Sequence, residues 1–282
     1  MEQLSPRSPW SSLGLGFWIV RRFGVSWKIF GLGAAGFIGV QILHTPLVIL
    51  TQGPLYLFLK GAITDPTLIL VILAVYLGLL AGLFEEVGRY PFYRYYFTKK
   101  GIALSREHGL MFGVGWGGIE SIIVALLLVT TMISSIILSA TSGQMPGIPD
   151  DPATLAQINL VLALTPLDIL PGLLERMMTI TLQIAFSIMV LASVVYRRTV
   201  LLVLAVLWHA LVDFCVVYLV QTEGIWVAEL SLAVFARAGT GVYILGVEAP
   251  GCPNMRGRRG CPRYVIHSPF FLVEDFRTNG SL

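Results

Sequence analysis

The sequence predicts an all-α, polytopic transmembrane helical bundle of about six spans with both termini cytoplasmic, and three observations carry that prediction. Hydrophobic residues make up 56% of the chain and charged residues only 12%, with a mean hydropathy of +0.80, a balance foreign to soluble domains. Apolar runs long enough to cross about 30 Å of hydrocarbon recur along the 282 residues. Lys and Arg collect in alternate connections between those runs, as they do in short cytoplasmic loops.

Taken in order, residues 1–26 form a cytoplasmic N-terminal segment. Its apolar stretch Trp10–Val20 is short and has no small-residue cleavage site after it, so it does not read as a cleaved signal peptide. Arg21-Arg22 superficially matches a twin-arginine signal, yet the run that follows is long enough to span and stay. The transmembrane domain covers 27–247, with spans expected at 27–50, 66–86, 108–138, 173–196, 199–221 and 225–247. The third is over-long for one crossing, which implies tilt or ends outside the hydrocarbon. The stretch 158–171 contains Pro166, Asp168 and Pro171, so it reads as an interfacial or re-entrant segment, or as the first part of a broken fourth helix. Residues 248–282 form a polar, basic cytoplasmic tail, either peripheral on anionic lipid or disordered.

Orientation follows from the cations. Arg7, Arg21, Arg22 and Lys28 precede the first span, and Arg89, Arg94, Lys99, Lys100 and Arg106 lie between the second and third. Arg197 and Arg198 separate the fourth and fifth, and Arg256, Arg258, Arg259 and Arg263 follow the sixth. The connections 51–65, 139–172 and 222–224 carry a single cation, Lys60. Adding or dropping one span would break this alternation. The net charge of +3 is therefore read as topology, with membrane lipid as a partner and no nucleic acid. Cys215, Cys252 and Cys261 are too few for a disulfide scaffold, and Cys252, Cys261 and His267 match no metal-finger spacing, so the tail thiols are expected to be reduced.

Ionisable groups inside apolar spans are costly unless they are paired or line a cavity, so they are the functional candidates. Here they are Glu85, Glu86, Arg89, Glu120, Glu175, Arg176, His209, Asp213, Glu229 and Arg237. Glu85 and Arg89 stand four apart, on one helix face, where they can form an ion pair. His209 and Asp213 have the same spacing, which lets an imidazole and a carboxylate converge on one metal, water or substrate group, or simply bond to each other. At a rise of about 1.5 Å per residue, His209 lies about 15 Å and Glu120 about 18 Å into their spans, and Gln183 is also near mid-membrane. These groups could line one wet cavity. Glu85 and Glu86 are expected to sit shallower, and His44 toward the outer side.

The run Glu85-Glu86-Val87-Gly88-Arg89-Tyr90 is followed by Phe112-Gly113-Val114-Gly115-Trp116-Gly117-Gly118-Ile119-Glu120, by Leu174-Glu175-Arg176, and by Trp208-His209-Ala210-Leu211-Val212-Asp213. In this order, the four resemble the YhfC family of intramembrane metalloproteases, which is related to the CAAX prenyl protease and bacteriocin-processing group. The segment Phe37 to Pro46, with Gln41 and His44, is similar to that family's first span. The resemblance covers about residues 27–220. It implies a bacterial or archaeal plasma membrane and a membrane-associated protein or peptide as substrate. It also implies Glu85 as the base that activates water, Glu86 and Arg89 as its organisers, and His209 with Asp213 as the later motif. Zinc or another divalent metal, if one is used, would fall to His209, Glu85 and Glu120, with Glu175 in support.

Two positions depart from the family pattern. Trp116 and Gln183 stand where histidines are expected, and an indole has no lone pair for a metal. The Glu-Glu-Val-Gly-Arg run is also one residue shorter than the wider group's motif. Three readings stay open: an active peptidase, a pseudo-protease that binds a transmembrane or lipidated partner without cleaving it, and a transporter using the same polar groups. No inverted repeat supports the third.

The cation pattern makes a topological prediction. Cysteines introduced as Leu55→Cys and Asp150→Cys should react with an impermeant thiol reagent from outside intact cells, and Phe97→Cys and Met255→Cys should not; outer labelling at 97 would overturn the six-span orientation.

Overall fold

The computed structural model describes residues 12–140 and 166–245. The tail 248–282, with Cys252, Cys261 and His267, and the stretch 141–165 lie outside the described residues. Seven helices account for most of the rest: α1 (Ser12–Phe23), α2 (Trp27–Ala62), α3 (Pro66–Pro91), α4 (Arg106–Ala140), α5 (Pro166–Val195), α6 (Thr199–Thr222) and α7 (Ile225–Leu245). Six of them, all but α1, are long and apolar enough to cross a membrane. Large apolar side chains such as Ile42, Leu50, Leu57, Leu127, Leu207 and Leu230 are more than half exposed. Lipid tails are the solvent that accommodates such surfaces, because every backbone polar group is already satisfied within a helix.

Local chemistry sets the helix ends. Ser26 Oγ accepts from the Lys28 amide at 3.2 Å, and Asp65 Oδ1 accepts from the Thr67 amide at 2.8 Å with Pro66 as the first helical residue. The three-residue connection between α5 and α6 places Arg197 at φ 54°, and Gly224 makes the next turn at φ 91°.

The structure lengthens three of the expected spans. α2 does not stop at residue 50 but continues through Pro46 and Pro54 to Ala62. Each proline removes one backbone hydrogen bond, and the apolar flanks carry the helix past both. α3 runs beyond residue 86 to Pro91 and then through a π-helical turn, Phe92–Phe97, and a last turn, Thr98–Lys100. The wider π register sits directly after Pro91 and turns Tyr93 and Phe97 into a buried aromatic cluster with Phe112. Pro171 lies within α5, and Pro166 begins it, so the described part of 158–171 belongs to the fourth spanning helix rather than to a separate segment. The N-terminal segment contains α1, whose buried Ile19 packs into the core beside α4.

α5 is the central helix: 67% of its apolar window is buried, against 17–39% for the other five spans. It packs against α4, α7 and α6, while α3 makes its most extensive contact with α6 and α2 with α4. Small residues permit these close approaches. Ala74, Gly78 and Gly82 form a stripe on α3, and a Cβ at Gly78 or Gly82 would lie 2.5 Å from the carbonyl oxygen of Ala210 or Val206 on α6. On α4, Gly115 abuts the Phe30 backbone of α2, and Gly117 abuts Gln183 of α5.

Gly82→Ala should therefore destabilise the bundle by about 1–3 kcal/mol through overpacking against backbone. Gly39→Ala has open space around it and should be neutral or slightly stabilising. Thermal unfolding of the two variants in detergent checks the difference.

Candidate functional site

Five helices bring polar side chains to one cavity of about 290 Å³. α2 contributes His44, α3 Glu85, α4 Glu120, α5 Glu175, Arg176 and Gln183, and α6 His209 and Asp213. The recurring spacing of three, four or seven residues places each helix's contributors on one face. Glu86, Arg89 and Trp116 stand immediately behind that wall, each 0% exposed.

Arg89 organises the wall. Its Nη1 donates to both oxygens of Glu86, at 3.0 and 2.9 Å, and its Nη2 donates to Glu85 Oε2 at 3.3 Å and to Gln183 Oε1. Its guanidinium carbon lies 4.5 Å from the centre of the Trp116 ring, within cation–π range. The shorter motif thus forms both ion pairs, because positions three and four apart on α3 face the same way.

Glu85 is held through one oxygen. Oε2 accepts from Trp116 Nε1 at 2.9 Å, from Gln183 Nε2 at 3.1 Å and from Arg89. Among the described residues, Oε1 receives only a long 3.5 Å contact from Gln41 Nε2. Trp116 and Gln183, which cannot act as imidazole ligands, serve here as donors that fix the carboxylate. Gln183 Nε2 also donates to Glu120 Oε2 at 2.6 Å, and Glu120 Oε1 accepts from Arg176 Nη1 at 3.3 Å. Arg176 pairs in turn with Glu175.

His209 stacks on Phe186, with ring centres 4.7 Å apart and planes 7° from parallel. Its Nδ1 lies 2.7 Å from Glu86 Oε1. Glu86, bridged by Arg89, can only accept, so Nδ1 carries the proton and donates it. In the neutral ring Nε2 is then a lone pair, 3.7 Å from Asp213 Oδ2.

The residues fit a divalent metal. A histidine that donates one ring nitrogen to a carboxylate and presents the other is the usual form of a metal-ligating imidazole. In the neutral ring the Nε2 lone pair would face the Asp213 carboxylate, an arrangement that either a proton or a metal cation relieves. One ligand atom each of Glu85, Glu86 and His209 lies within 4.8 Å of the others. Four carboxyl groups, Glu85, Glu120, Glu175 and Asp213, line the cavity beside one guanidinium, Arg176, so its donor set is rich in oxygen. Nitrogen and oxygen donors of this kind suit zinc and its neighbours.

The expectation that Glu85 and Glu86 sit shallower than His209 does not hold, since Glu86 bonds to His209 directly. The continuation of α3 to Lys100 buries both glutamates well inside the helix. His44 is not remote either: it lines the cavity, and Gln41 links it to Glu85. Their spacing of three on the first span was the available signal. Glu229 is buried on α7 one turn from the cavity-lining Leu232 but is not itself part of the lining, and Arg237 is exposed and bonds to Thr240 at 3.1 Å.

The profile of the YhfC intramembrane metalloprotease family matches residues 12–232. The uncharacterized membrane protein YhfC of Bacillus subtilis is 32% identical over 214 residues, covering 71% of this chain and 76% of that protein. No solved structure matches. With the family profile spanning all four polar motifs and most of the bundle, the chain belongs to the YhfC intramembrane metalloprotease family.

Proposed function

We propose that the protein hydrolyses a peptide bond of a membrane-associated protein or peptide inside this cavity, in a bacterial or archaeal plasma membrane whose cytoplasmic face carries the cation-rich loops. One observation carries the reading: three donors hold Oε2 of Glu85, Oε1 has only the long Gln41 contact, and the side chain lines a cavity shared with His209. A carboxylate oriented in this way is a positioned general base. Glu85 Oε1 takes a proton from water as the water oxygen adds to the peptide carbonyl carbon. The same proton passes to the amide nitrogen as the carbon–nitrogen bond breaks. His209, fixed by Glu86 and by Phe186, orients the water from the α6 side, and the Asp213 carboxylate stands at the Nε2 edge of the ring. A divalent metal held by His209 with Glu85, Glu120 or Asp213 would polarise the carbonyl and acidify the water.

A second reading, a pseudo-protease that binds a transmembrane or lipidated partner, is favoured by the full burial of Trp116 at a position where the resemblance implies histidine. The two are separated by mapping new protein N-termini in membranes from cells expressing the wild type or Glu85→Gln. Hydrolysis predicts termini that appear with the wild type and vanish in Glu85→Gln and in His209→Ala. Binding alone predicts none, with the same partners crosslinked to the wild type and to Glu85→Gln.

Trp116→Phe retains an aromatic ring for Arg89 but removes the donor to Glu85. It should lower kcat by about tenfold to a hundredfold, in the range for a lost supporting hydrogen bond, with little change in KM. Equal cleavage by the two proteins would remove Trp116 from the support of the base.

A further inference from the structure

The cavity has one closed end and one open end. From Glu85 and His209 its lining extends to Leu77 on α3, Val48 on α2, Val217 on α6 and Glu175 on α5. Neighbouring helices run in opposite directions: Gly88 of α3 meets Val40 of α2 while Tyr76 meets Thr51, and Gly82 meets Val206 of α6 while Gly78 meets Ala210. All four walls therefore lead to the same end of the bundle, the one that carries the connections 63–65 and 223–224. Toward the other end, with its cation-rich connections 101–105 and 196–198, the way is filled. Arg89, Tyr93 and Phe97 follow Glu85 along that chain direction, with Phe112 and Trp116 of α4 against them, and each is 0% exposed. Side-chain exposure of the acids rises along the same axis, from 0% at Glu86 and 8% at Glu85 to 17% at Glu120, 32% at Glu175 and 36% at Asp213.

A part-exposed carboxyl group within an apolar span is costly against lipid tails, so Glu120, Glu175 and Asp213 have to be reached by water. Among the described residues, the direction left open to it is the end with connections 63–65 and 223–224. We propose that water and substrate both reach Glu85 from that end, so that the bond to be cut is presented in the half of the bilayer opposite the cation-rich connections. The inference rests on the reading of this cavity as a hydrolytic site and adds the side from which the substrate comes. From Glu175 to Gln183, which bonds to Glu85, α5 rises about 12 Å. An extended chain covers that depth in about four residues. The substrate therefore needs an unwound segment of that length in the half of the membrane at the open end, and a segment free only at the cation-rich face would not reach the base.

Thiol labelling reads the route independently of cleavage. In the full chain carrying Cys215→Ser, Cys252→Ser and Cys261→Ser, single cysteines are treated with a charged, impermeant methanethiosulfonate in right-side-out and in inverted vesicles. Thr64→Cys and Lys100→Cys, exposed at opposite ends of the bundle, mark the two faces, so the outcome does not depend on which face is cytoplasmic. Val48→Cys and Val217→Cys, on separate walls of the cavity, should label from the Thr64 face and not from the Lys100 face. Ala205→Cys, 0% exposed in the closed half, should label from neither. Labelling of either wall or of position 205 from the Lys100 face, or of neither wall from either face, would overturn the route. Complete modification of Val217→Cys should also abolish the Glu85-dependent N-termini, and modification of Lys100→Cys should leave them. Termini that persist in modified Val217→Cys would overturn the path of the substrate. If the unmodified protein makes no such termini, the hydrolytic reading fails and the substrate path falls with it, while the labels still decide the route of water.

Discussion

A fully buried arginine is the constraint on which the site depends. Arg89 carries its charge where water does not reach, and an unpaired charge there would cost several kcal/mol. The cost is offset only by bringing Glu85, Glu86 and Gln183 to its donors and the face of Trp116 to its plane. Those four residues come from α3, α4 and α5. Satisfying one guanidinium therefore fixes three helices relative to one another, and it also fixes which oxygen of each glutamate is free. Glu86, fully engaged by Arg89, extends the constraint to α6 through His209.

Backbone proximity makes this network possible. Glu86 can reach His209 because α3 and α6 approach closely along Gly78 and Gly82, and Gly82 lies one turn from Glu86 on the same face. Gln183 reaches Glu85 because Gly117 lets α5 come close to α4. In lipid the hydrophobic effect does not distinguish a side chain in the bundle from one in the bilayer, so packing of small residues and polar contacts hold the helices together. Here the two coincide: the glycine stripes adjoin the charged cluster, and a side chain added at either would displace a functional group.

The six spans were legible in the sequence because apolar length is a direct physical requirement of the bilayer. Their ends were less so. The length of the apolar run set the end of the first span at residue 50, yet α2 runs on through Pro46 and Pro54 to Ala62, since a proline removes only one hydrogen bond. The pairing of Glu85 with Arg89 and the meeting of His209 with Asp213 followed from helical spacing. Which partners those pairs would find on other helices did not, since spacing fixes a face and not a neighbour. His44 shows this limit. Its place in the first span said how far along the helix it stands and not what it meets, which is Glu85 through Gln41.

Positions 116 and 183 carry the same lesson into the chemistry. Judged by residue type alone, an indole and an amide in place of imidazoles are losses, because neither offers a nitrogen lone pair. In the folded chain both point N–H groups at Glu85 Oε2, and with Arg89 they occupy that oxygen completely. A histidine at either position could be donor or acceptor according to its tautomer, while tryptophan can only donate. The substitutions thus trade a ligand for an unambiguous orienting bond to the base. Acceptors for an electrophile then have to come from elsewhere on the cavity wall, and the buried ring of His209 on α6, whose ligand atom lies within 4.8 Å of those of Glu85 and Glu86, is placed to supply one.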